Sequence, residues 1–198
     1  MGVVKLSTAG ILDYSKTSNF LSGNAPLSLG SFDLLETTTL ATSASSVTFS
    51  GLGAYSDYKH LQLRIVGQTN NYPGLSLRFN SDSGSNYALH RLLGNGSTVS
   101  SNNLTSWTEI RLVNSLPDEK MAGTGIFGAI VMDILDFGSS SKNTTIRALS
   151  GVQDTDYSSV QLHSGFWNNT NAVTNINIFD SSGGSYVTGS RFSLYGVK

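Results

Sequence analysis

The sequence predicts an all-β protein, an antiparallel β-sandwich of jelly-roll-like form with an extended N-terminal arm. Three observations carry that prediction. Short runs from residue 34 onward alternate apolar and polar side chains with the period of two that half-buried strands need. Loops dense in Ser, Gly and Asn separate those runs, as in a sandwich or jelly roll. No stretch combines a 3.6-residue apolar period with a cap, so nothing in the sequence supports helices.

Residues 1–33 make the first unit, the arm. Its apolar residues come in clumps, Val3, Val4 and Leu6, then Ile11, Leu12 and Tyr14, then Phe20 and Leu21, with no sustained period. Side chains of that size need a surface to cover, on their own domain or on a neighbour. They are the expected partner anchors. The second unit, residues 34–198, is the sandwich. Its first clear run is Val47-Thr48-Phe49, and in His60–Gly67 the residues Leu61, Leu63 and Ile65 share one face. Residues 75–79 repeat the pattern after a Pro73-Gly74 turn. Further runs are 107–113, 143–152, 160–162, 176–178 and Arg191–Val197. Residues 126–135 are apolar at nearly every position, which predicts a central strand covered on both faces. Segments 80–86, 94–103 and 180–184 read as loops.

Composition narrows the function classes. Ser, Thr, Asn and Gly supply 87 of the 198 residues, and charged residues only 13%, against a usual ~25%. A hydrophobic share of 38% is enough for a packed core, which excludes a disordered low-complexity chain. The net charge of -1 argues against a cationic surface for nucleic acid or anionic lipid. Without cysteine there are no disulfides, thiolate metal ligands or cysteine nucleophiles. No apolar run approaches the ~20 residues of a membrane-spanning helix, so no membrane partner is expected. The first residues also lack a signal peptide's apolar stretch.

No catalytic or metal site emerges from spacing. His60, His90 and His163 each fall within or at the start of a strand pattern, and no His-x-x-x-His arrangement occurs. Exposed strand faces are their expected place. The string Asn80 to Asn86 has oxygen donors and a glycine but lacks the bidentate Glu of a calcium loop, so a turn is expected. Glycoside hydrolysis needs two carboxyls across one substrate. Glu109, Asp133 and Asp136 are the nearest candidates, and Asp133, between Met132 and Ile134, reads as a buried carboxylate held by backbone donors. No cofactor is expected. Trp107, Trp167, Tyr72 and Tyr157 could stack on sugar rings, although an aromatic at a strand end also closes a sandwich core.

Several stretches resemble small virion proteins of tailed bacteriophages, particularly those of cyanobacterial and other aquatic hosts. They are Lys5 to Ile11, Asp33-Leu34-Leu35-Glu36-Thr37, Tyr58 to Arg64, and Phe79-Asn80-Ser81-Asp82 with Asn86-Tyr87. The ending Gly189 to Lys198, with Arg191-Phe192-Ser193-Leu194-Tyr195-Gly196-Val197, is the most specific. The resemblance implies a β-sandwich module on a phage particle and carries no catalytic residue. It points first to a capsid decoration, or cement, protein located in the virion and anchored by its arm to capsid proteins. The alternative is a tail fibre or receptor-binding component that contacts host surface glycans. Similar phage modules often form trimers, and exposed edge strands favour contact, so a homotrimer is expected.

Overall fold

The computed structural model describes residues 31–71, 74–153 and 158–198. The arm anchors Val3, Val4, Leu6, Ile11, Leu12, Tyr14, Phe20 and Leu21 lie outside the described residues, as do Tyr72 and Tyr157. Among the described residues there are twelve strands: β1 (Phe32–Thr39), β2 (Ser46–Ser50), β3 (His60–Gly67), β4 (Gly74–Phe79), β5 (Tyr87–Gly94), β6 (Val99–Trp107), β7 (Ile110–Val113), β8 (Gly128–Leu135), β9 (Thr144–Gln153), β10 (Ser158–Trp167), β11 (Asn175–Phe179) and β12 (Arg191–Val197).

The larger sheet runs β1-β12-β3-β8-β9-β10-β5-β6 and the smaller β2-β11-β4-β7. The connectivity is that of a jelly roll, because strand pairs nest from the outside in: β1 with β12, β2 with β11, β3 with β8, β4 with β7. Two hairpins, β5–β6 and β9–β10, are inserted into that scheme. Both add to the β8 edge and widen one sheet to eight strands.

The alternating runs bury the side chains that their period selects. Val47 and Phe49 of β2, Leu61, Leu63 and Ile65 of β3, and Leu75, Leu77 and Phe79 of β4 all join one core cluster. Full burial of such a side chain contributes ~1.5–3 kcal/mol. The fold class is as the alternation predicts.

Three boundaries and the cover of one strand differ from the sequence reading, each for a physical reason. The sandwich takes in Asp33, which belongs to β1 and accepts a hydrogen bond from the Tyr58 hydroxyl at 2.9 Å. Segment 94–103 is the tip of a hairpin followed by the edge strand β6. Asn95 Oδ1 closes the turn by accepting from the N–H groups of Ser97 and Thr98. An edge strand largely open to solvent needs no apolar alternation, so Ser100-Ser101-Asn102-Asn103 gives no strand signal. Run 107–113 is two strands in different sheets, broken at Thr108-Glu109. β8 is central, but one of its faces is open: Ala129 and Val131 point to solvent. Among the described residues, helical structure is confined to the single turn α1 (Glu119–Ala122) and a 3-10 turn, Leu52–Tyr55.

Candidate functional site

β10 shows where the open face comes from. Trp167 is fully buried, stacked on Tyr87 at 6.4 Å and tilted against Phe79 at 5.7 Å, and its Nε1–H donates to Asp82 Oδ2 at 2.7 Å. Gly165 faces the same crowded side, where a Cβ would come within 2.5 Å of the Ala88 carbonyl oxygen. With the phase pinned at that end, the period of two fixes every other side chain. His163, Gln161 and Ser159 turn inward, and Phe166, Leu162 and Val160 turn out.

The consequence is a correction for His163, expected on an exposed face. It is fully buried, and neither ring nitrogen has a hydrogen-bond partner among the described residues. Burial, with Arg91 adding to it, lowers its pKa to about 4. Gln161 donates to the Asn114 carbonyl at 2.6 Å, while its Oε1 and the neighbouring Ser150 hydroxyl have no partner among the described residues. His90 is exposed as expected, and His60, half-buried, accepts the Asp136 N–H through Nδ1 at 2.9 Å.

Outside, strand register lines the displaced apolar residues into rows. Val131, Leu149, Leu162 and Leu92 sit opposite one another on β8, β9, β10 and β5. The next row carries Val66, Val160 and Val99, spaced by Ala129, Gly151 and Gly94. Leu149 is 54% exposed and Leu162 48%. On the other side of the leucine row runs a polar one, Gln62, Asp133, Arg147, Ser164, His90 and Asn103.

The three acidic candidates do not form an acid pair. Asp133 is not the buried carboxylate expected from its apolar neighbours. It stands on the open face, where Gln62 Nε2 at 2.8 Å and Arg147 Nη2 at 2.9 Å donate to it. Asp136, in left-handed backbone (φ 52°) just past β8, pairs with Lys142, whose hydrogen bond holds its pKa below the usual carboxylate value. Glu109 is buried beside the smaller sheet, accepting from Arg78 Nη2 and the Ser76 hydroxyl, both at 3.1 Å. Each carboxylate has its own cation, in its own place. Among the described residues, no three His, Asp or Glu side chains gather where a metal could be held.

The 80–86 string is a turn around Asp82. Burial alone would raise the Asp82 pKa, but hydrogen bonds from Trp167, Asn86 and the Gly84 N–H outweigh it and lower the value. Trp167 therefore closes the core and has no free face for a sugar. Trp107 is half-buried against that core, with the Arg111 guanidinium 5.7 Å from its ring.

No family model and no curated protein matches the chain.

One further feature lies on the open face. Phe166, 40% exposed, borders a shallow groove of about 460 Å³ with His90, Asn103, Asn143 and Ser164. The register shift between Tyr87 and Leu89 in the β5–β6 pairing lies beside it, and bulges of this kind re-aim side chains. Sequence reasoning missed Leu92, Leu149, Leu162 and Phe166 as a set. Leu149 had a signal of its own: a leucine in the same phase as Thr145, Arg147 and Gly151, out of step with Ile146 and Ala148.

Proposed function

We propose that the chain is a non-enzymatic structural protein of a bacteriophage virion, a capsid decoration protein fixed to the particle by its N-terminal arm. The open face of the eight-stranded sheet carries this proposal. Seven of its exposed Val and Leu side chains present about 600 Å² of apolar surface, the upper end of the ~300–600 Å² of a typical monomer's largest patch. A flat apolar face suits a protein partner; chemistry on a small substrate favours a concave site with convergent polar groups. The three candidate carboxylates, Glu109, Asp133 and Asp136, are already paired with cations, and a sandwich that adds buried area between neighbours is what a cement protein requires.

Immunogold labelling of particles of the phage that encodes the chain tests the assignment. Label on the head is expected. Label on the tail alone would favour the second reading, and bare particles would overturn both. The arm has its own expected outcome. Removing residues 1–31, which leaves β1 whole, should detach the protein from particles and move the thermal midpoint by no more than ~2 °C. A fall of many degrees, or undiminished attachment, would count against an anchoring arm.

The Phe166 groove favours the second reading, a tail fibre or receptor-binding component. An exposed ring beside amides, a hydroxyl and an imidazole can stack on a sugar and hydrogen-bond its hydroxyls. On that reading a glycan array gives a signal that Phe166→Ala abolishes while melting is unchanged. An array with no signal at millimolar protein would remove it.

A further inference from the structure

We infer that the open face of the eight-stranded sheet is covered by the same face of a second copy of this chain. The inference rests on the reading of that face as a protein contact and names the partner. Four observations on the face support a second copy.

The first is shape. The row Val131, Leu149, Leu162, Leu92 crosses four neighbouring strands ~4.8 Å apart, a stripe about 15 Å long on a continuous ladder. Two such sheets can stack at ~10 Å, as the two layers of any β-sandwich do. The second is self-complementarity. In an isologous pair each patch meets its own copy, which an apolar stripe satisfies without a matching partner surface. A two-fold axis between Leu149 and Leu162 would lay one leucine row on the other.

The third is charge. Asp133 and Arg147, beside the stripe, already neutralise each other across the β8–β9 ladder. The net charge of -1 leaves little repulsion between whole copies. The fourth is area. About 600 Å² from each copy gives roughly 1,200 Å² in total, the lower bound of the ~1,200–2,000 Å² of stable specific interfaces. A homotrimer was expected from edge strands and composition; one face that pairs with itself builds a two-chain assembly instead.

The test is the mass of the purified full chain by sedimentation equilibrium, from about 1 to 100 µM. A two-chain species is expected. Leu149→Arg, alone and with Leu162→Arg, should raise its dissociation constant by at least ~30-fold, because the changes put unpaired charge of one sign at the centre of the contact. Both sites are half-exposed in one copy, so the thermal midpoint of the isolated variant should stay within ~2 °C. Leu149→Ala, which adds no charge, should weaken association to a smaller degree. A single-chain mass at 100 µM would overturn the inference, as would a three-chain assembly or a two-chain species untouched by the substitutions. If the full chain is single and removal of residues 1–31 makes it pair, the face belongs to the chain's own N-terminal segment. No particle enters this measurement, so its outcome is independent of head or tail labelling.

Discussion

Acidification from pH 7 to pH 4 should lower the stability of this protein by roughly 3 kcal/mol through His163 alone. In the unfolded chain the imidazole takes a proton near pH 6.5. In the folded protein burial, with Arg91 facing it across the β5–β10 ladder, holds the value at about 4. The folded state therefore binds fewer protons between those two pH values. The stability is complete above about pH 6.5 and drains away as pH falls toward 4. Asp82 and Asp136, with pKa values lowered from 3.8, act in the opposite sense to a raised carboxylate and lose their contribution only below that window. Urea titrations at pH 7, 5.5 and 4 measure the effect. His163→Leu should flatten the slope and raise stability at pH 7, since an apolar side chain replaces a buried ring with no partner among the described residues. Parallel pH profiles for the two proteins would show that His163 does not carry the slope.

Trp167→Ala should be among the most damaging single changes in the sandwich, at about 3–5 kcal/mol. It empties the space between Phe79 and Tyr87 and takes away the Nε1–H donor of Asp82. For a domain of this size that loss lowers the thermal midpoint by roughly 6–20 °C. Trp107→Ala, at a half-buried position on the edge strand, should cost about 1 kcal/mol or less. Thermal melts of the two variants compare them directly, and equal losses would contradict the placement of Trp167 as the core closure.

The alternation in β2, β3, β4 and β11 was legible because one phase holds large apolar residues and the other holds polar ones. Phe49 and Val47 against Ser46, Thr48 and Ser50 is the clearest instance. β10 was not legible in the same way. Its two phases are Val160, Leu162, Phe166 and Gln161, His163, Trp167, and hydrophobicity alone selects the first for the core. The structure takes the second, because a tryptophan that fits between Tyr87 and Phe79 and a glycine that no side chain could replace fix the end of the strand. That long-range constraint reverses the face of every residue before it. The same reversal buries His163 and exposes Leu162, so the candidate interaction face and the acid-sensitive group share one cause. β6 escaped detection because nothing obliges an edge strand to alternate, and Asp133 was misplaced because β8 is covered on one side only.

The nesting of β1 against β12 also sets how the protein bears a load. Thr37 meets Ser193 at 2.8 Å and Asp33 lies 3.9 Å from Lys198, so the two strands run antiparallel, with Asp33 beside the end of β12. A pull applied between those neighbouring ends acts across the ladder and opens its hydrogen bonds one after another, like a zipper. A pull between the same corner and the β5–β6 tip at Asn95 enters at opposite edges of an eight-stranded sheet and is carried through seven strand pairings. A tether at the N-terminal corner with force arriving at the far hairpin thus spreads tension over the whole sheet, whereas a cargo fused at Lys198 would load the single β1–β12 pairing against the tether.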